Sequence, residues 1–105
     1  MDIELQVKVR KVIWTLIFSN RHPMLPRNYW GRCNPSEKKM AVRKSLHGVR
    51  AIDTVIHEFT HAYFADLGEE AVDEFATELA EVLKRCKMVD VQWSVKELDE
   101  EQEVL

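Results

Sequence analysis

The chain has 105 residues, 46% of them hydrophobic and 31% charged, with a formal net charge of −3. That composition suits one small globular domain with a modest core, and it gives no footing for nucleic acid as the main partner. No apolar run is long enough to span a bilayer and no signal-peptide layout opens the chain, so a cytoplasmic protein with no membrane association is expected.

From the N terminus, Ile3, Leu5, Val7 and Val9 alternate with Glu4, Gln6 and Lys8, the period of a half-buried strand. Residues 12–18 are rich in β-branched and aromatic types and read as a second strand, continuous with the first or paired back onto it. A single amphipathic helix over residues 2–18 competes, because apolar residues also recur there at helical spacing. Asn20, Pro23 and Pro26 break the pattern. Residues 29–35 read as a loop with room for a short strand, turning at Asn34-Pro35. Residues 39–44 read as a short strand whose lysines place it at a sheet edge.

Two helices follow. The first is expected from residue 49 or 50 to 66, with Ile52, Val55, Ile56, Phe59, Tyr63 and Phe64 apolar and Leu67-Gly68 as its stop. The second is expected from Glu69 to about Lys87, with Val72, Phe75, Ala76, Leu79, Val82, Leu83 and Cys86 on one stripe. Glu69 and Glu70 in its first turn and Lys84, Arg85 and Lys87 in its last suit the helix dipole. Residues 89–93 read as a last strand, and 95–105 as an acidic tail. Two cysteines, Cys33 and Cys86, are too few for a disulfide scaffold, and Cys86 is expected in the core. With no repeats and no linker, residues 1–105 form one α+β domain: a small, mostly antiparallel sheet, then two helices.

The first of these helices carries His57-Glu58-Phe59-Thr60-His61. Residues four apart sit one turn above each other, so both imidazoles project from one face and can grip one Zn²⁺. Glu58, next to the first ligand, is placed to act as general base on a metal-activated water. Thr54, Phe59, Thr60, Ala62 and Tyr63 leave the motif without charged flanks, as zinc peptidases usually do.

Catalytic zinc takes three protein ligands. The four histidines are His22, His47, His57 and His61, and none lies beyond His61. A carboxylate on the following helix is the natural third ligand. With residues placed 100° apart, Glu69 and Asp73 fall on one border of the apolar stripe, whereas Glu70 and Glu74 fall on the solvent side. Glu69 is the expected ligand, and Asp73 is free to accept a proton from a ligand ring. Glu70 stays as the alternative, since helix ends shift by a residue or two.

His-Glu-x-x-His followed by Glu69, Asp73 and Phe75 resembles the gluzincins, the thermolysin-like zinc metallopeptidases. The short link from His61 to Glu69, together with Trp30-Gly31-Arg32-Cys33, is similar to minimal gluzincins and to small metallopeptidases encoded by phages and prophages. The resemblance covers about residues 29–86. It implies a zincin-like fold with an active-site helix and a backing helix, a Zn²⁺ cofactor, and a peptide or protein substrate. The implied reaction is peptide hydrolysis by a zinc-activated water with Glu58 as general base. Extra Tyr or His donors for the oxyanion have no counterpart after Glu69; His47, Tyr29 and Tyr63 are the nearest substitutes. A zinc-containing regulatory or interaction protein without catalysis is the alternative.

Overall fold

The computed structural model describes residues 2–89 and Ser94. The expected strand at 89–93 and the acidic tail therefore lie outside the described residues, apart from Val89 and Ser94. Strand β1 (Ile3–Val9) pairs antiparallel with β2 (Val12–Ser19) along its whole length, Ile3 opposite Phe18 and Val9 opposite Val12. The two turn residues, Arg10 and Lys11, have φ of 51° and 70°. Two positive-φ residues make a turn whose twist matches that of the flanking strands. The hairpin wins over the competing helix because its register puts Ile3, Val9, Trp14, Leu16 and Phe18 on one buried face.

After β3 (Gly31–Asn34), β4 (Lys39–Arg43) inserts between β2 and β3 and gives the sheet order β1-β2-β4-β3. It runs parallel to β2 and antiparallel to β3. The placement of residues 39–44 at a sheet edge is thus corrected: β4 is interior, and among the described residues β3 stands at the edge. The charges misled because they stand at the strand's ends, while its middle residues, Met40, Ala41 and Val42, are buried.

Both faces of β4 are covered. Met40 and Val42 join the main core with Trp14, Leu16 and Phe18, and Val55, Ala62 and Tyr63 of the first helix pack against it. On the other face Ala41 and Ile17 are covered by Met24 and Leu25 from the loop after β2. The Arg43 guanidinium pins that loop by donating to the carbonyls of Asn20, Pro26 and Tyr29 at 3.1, 2.9 and 2.8 Å.

Helix α1 (Gly48–Tyr63) lies on the main core, and α2 (Glu69–Arg85) packs against α1. Gly48 begins α1 at φ 62°, a left-handed conformation that glycine adopts without steric cost. Helix α1 stops three residues before the expected residue 66: Phe64 leaves helical geometry at φ −120°, ψ 76°. Gly68 serves instead as the N-cap of α2. The apolar stripe of α2 is narrower than its composition implies. Val72, Ala76 and Ala80 are buried, whereas Phe75, Val82 and Cys86 are exposed. The expectation of a core Cys86 is therefore corrected: among the described residues α2 packs on α1 alone, and Cys86 lies away from that contact. Among the described residues no helix is long and apolar enough to cross a membrane.

Candidate metal centre

The two helices and the edge strand enclose a cleft of about 650 Å³, a size typical of ligand sites. Strand β3 and the loop before it supply one wall, with Tyr29, Trp30, Gly31 and Cys33. Helix α1 supplies Thr54, His57, Glu58 and His61, and α2 supplies Glu69 and Asp73.

His57 Nε2 and His61 Nε2 stand 3.1 Å apart, one helical turn from each other. The short α1–α2 connection brings Glu69, the first residue of α2, back over them. Its Oε1 is 2.8 Å from His57 Nε2 and its Oε2 is 2.9 Å from His61 Nε2. The three side chains form the group among the described residues whose donor atoms all lie within 4.8 Å of one another and could hold a metal ion. Glu70 is outside that group and exposed.

The chemistry of this donor set fits a cation. With Glu69 ionised, no placement of protons satisfies all three contacts. If both Nε2 atoms carry hydrogen, two donors face each other; if one does, the bare nitrogen faces a carboxylate oxygen. A metal ion at the centre meets all three lone pairs at once. Donors bound tetrahedrally at zinc's usual 2.0–2.2 Å would lie about 3.3 Å apart, close to the spacings here. Binding through Nε2 leaves the His57 proton on Nδ1, which points at Asp73 Oδ1, 3.6 Å away. That distance is long for a direct hydrogen bond, and suits an orienting charge or a bridging water.

Glu58 is 94% buried by its 6% exposure, lines the cleft, and accepts no hydrogen bond from any described residue. Burial pushes its carboxyl up to about 7; His57 opposes the shift and Glu69 adds to it. Gly31 makes the close approach of β3 to α1 possible. A Cβ there would lie 2.8 Å from Thr54 Cγ2 and 2.9 Å from Glu58 Cγ and Oε2. Thr54 and Thr60 are buried and satisfied, each donating its hydroxyl to the carbonyl one turn earlier. Asp53, also on the cleft wall, accepts from Thr77 Oγ1 at 3.1 Å and ties α1 to α2.

In comparisons with known proteins, no family model, curated protein or solved structure matches the chain. The site therefore stands on its own geometry.

Of the residues singled out in the sequence, His57, Glu58, His61, Glu69 and Asp73 all line the cleft. Of the three candidate donors named earlier, Tyr29 lines it too. His47 caps α1 and pairs with Ser94, and Tyr63 faces the sheet beneath Arg10. His22 accepts from the Met24 backbone N–H, away from the cleft. Cys33 borders the cleft but is not part of the convergent donor group, and burial, and then the Glu58 charge, raise its thiol to about 12 in the metal-free protein. Gly31 and Asp53 are site residues that sequence reasoning passed over. Nothing local marks Asp53, and a glycine in a short polar stretch reads equally well as a turn.

Proposed function

We propose that the protein is a zinc-dependent metallopeptidase in which His57, His61 and Glu69 hold the metal and Glu58 is the general base. The observation that carries this reading is Glu58 itself: a buried carboxyl with no partner among the described residues, opening on the cleft beside three convergent donors. The carboxylate opens on the cleft and ties no other part of the fold together, and its raised proton affinity is what a general base working near neutral pH needs.

Zinc, when bound, supplies Lewis acidity to water and to the substrate carbonyl. The chain's own groups do the rest. Glu58 accepts the proton of the attacking water and hands it to the departing amine nitrogen. Asp73 holds the His57 ring in the Nδ1–H form. Tyr29 and Asn28, with the Trp30 indole beside them, are lining residues with neutral donors that could meet negative charge on the former carbonyl oxygen. Strand β3 has β4 on one side, and Gly31, Arg32 and Cys33 border the cleft, an edge on which an extended peptide can lie.

The test is a Glu58→Gln variant assayed on quenched-fluorescent peptides and on casein with one equivalent of zinc. Loss of turnover on the order of 10²–10⁴-fold with zinc content kept is expected. Zinc binding with no turnover by the wild-type protein on a broad peptide set would instead favour the non-catalytic zinc protein.

A further inference from the structure

The two walls of the cleft differ in charge. The helical wall carries Asp53, Glu69 and Asp73, and the strand wall carries aromatic residues backed by arginines. Arg50 sits with its guanidinium carbon 4.4 Å from the centre of the Trp30 ring. It lies one turn before Thr54, whose hydroxyl donates to its carbonyl, and two turns before His57. The same face of α1 that bears the metal-binding imidazoles therefore runs on to Arg50 at the rim. Arg50 makes no ion pair with any described residue, and neither does Arg32, which lies 5.8 Å over Tyr29 at the same end.

This rim is held in place before any ligand arrives. The Arg43 backbone N–H donates to the Trp30 carbonyl at 2.7 Å, and the Arg43 guanidinium ties down the Tyr29 carbonyl. Trp30 is 50% exposed on that fixed backbone. A guanidinium held over an indole face spends none of its N–H donors on the ring, which leaves them for a carboxylate.

We infer that the Trp30–Arg50 pair is a specificity element that binds a peptide carboxylate lying about three residues from the bond to be cleaved, toward the start of α1. The spacing follows from the helix: seven residues at 1.5 Å separate Arg50 from His57, about 10 Å, and an extended peptide covers that in about three residues. Away from the metal, Asp53 and Asp73 on the helical wall repel such a carboxylate, so the Arg50 end of the cleft is favoured. The same wall disfavours a polyanion such as single-stranded nucleic acid. The inference rests on the cleft being a peptide site, as proposed above.

The test uses full-length, zinc-loaded Glu58→Gln protein and fluorescein-labelled decapeptides read by anisotropy. One series carries a single Glu, moved along a neutral peptide with an amidated C terminus, beside its Gln counterpart. A second carries a free or amidated C-terminal carboxylate, which separates a side-chain source from a terminal one. The expected result is a 3–10-fold advantage of the carboxylate at one position, reduced by salt, lost in Arg50→Gln and partly kept in Arg50→Lys. Circular dichroism and zinc content show that these variants fold. Equal affinity of Glu and Gln peptides at every position, an advantage that persists in Arg50→Gln, or tighter Arg50-dependent binding of an oligonucleotide would overturn the inference. Cleavage by the wild-type protein is scored separately. Turnover without a carboxylate preference sinks this inference alone, whereas preference without turnover sinks the hydrolytic reading alone.

Discussion

Gly31 lies directly against Glu58: a methyl group at position 31 would come within 2.9 Å of the Glu58 carboxylate oxygen and 2.8 Å of Thr54 Cγ2. The edge strand and the helix bearing Glu58, the proposed general base, therefore approach as closely as the glycine allows. Glu58 can move aside, but Thr54 is short, buried and tied by its hydroxyl to Arg50. Gly31→Ala is expected to cost about 1–3 kcal/mol of stability by overpacking. It should also lower peptidase turnover more than zinc affinity. Urea unfolding and zinc titration on the same variant measure the two effects.

The proposed metal ligands should separate cleanly by titration. Glu69 is exposed, with 71% of its side chain open to solvent, so Glu69→Ala removes a donor without opening the core. A large loss of zinc affinity with little change in metal-free stability is expected. Glu70→Ala should leave zinc affinity unchanged, and Asp73→Ala should weaken it by about 10-fold through loss of orientation. Competition with a chromophoric chelator ranks the three.

Glu58 also makes a pH signature of the metal-free protein. Its carboxyl titrates near 7 in the folded chain against 4.5 as a free group, so the folded state holds this proton more tightly than the unfolded state. Below about pH 4.5 both states are protonated and the group costs nothing. Between 4.5 and 7 stability falls as pH rises, by up to about 3 kcal/mol at 1.36 kcal/mol per pH unit, and is level above that. Glu58→Gln should remove this slope, and zinc, whose charge favours the carboxylate, should shrink it. Chemical denaturation from pH 4 to 8, with chelator and with zinc, decides the point.

Arg43 binds three carbonyls of the loop between β2 and β3 through one planar guanidinium. An ammonium cannot reach all three, so Arg43→Lys should be nearly as harmful as Arg43→Ala, each costing about 2 kcal/mol. Amide hydrogen exchange should show faster opening across residues 20–30, with the helices little affected.

Much of this molecule is written locally. The alternation in residues 3–9, the amphipathic stripes of the helices and the one-turn spacing of His57 and His61 are short-range properties, because backbone geometry repeats every two or 3.6 residues. The angular choice of Glu69 over Glu70 belongs with them, since it needs only the phase of one helix. What sequence by itself left open depends on which elements meet. That β4 slips between β2 and β3, and not at an edge, turns on burial of Met40, Ala41 and Val42 from both faces. That Cys86 is exposed follows from α2 having, among the described residues, a partner on one side only. The contact of Gly31 with Glu58, and the stacking of Arg50 on Trp30, join residues some 20 or more positions apart. Pairings of that kind are set by how the sheet edge and the helix pack together, and no local periodicity encodes them.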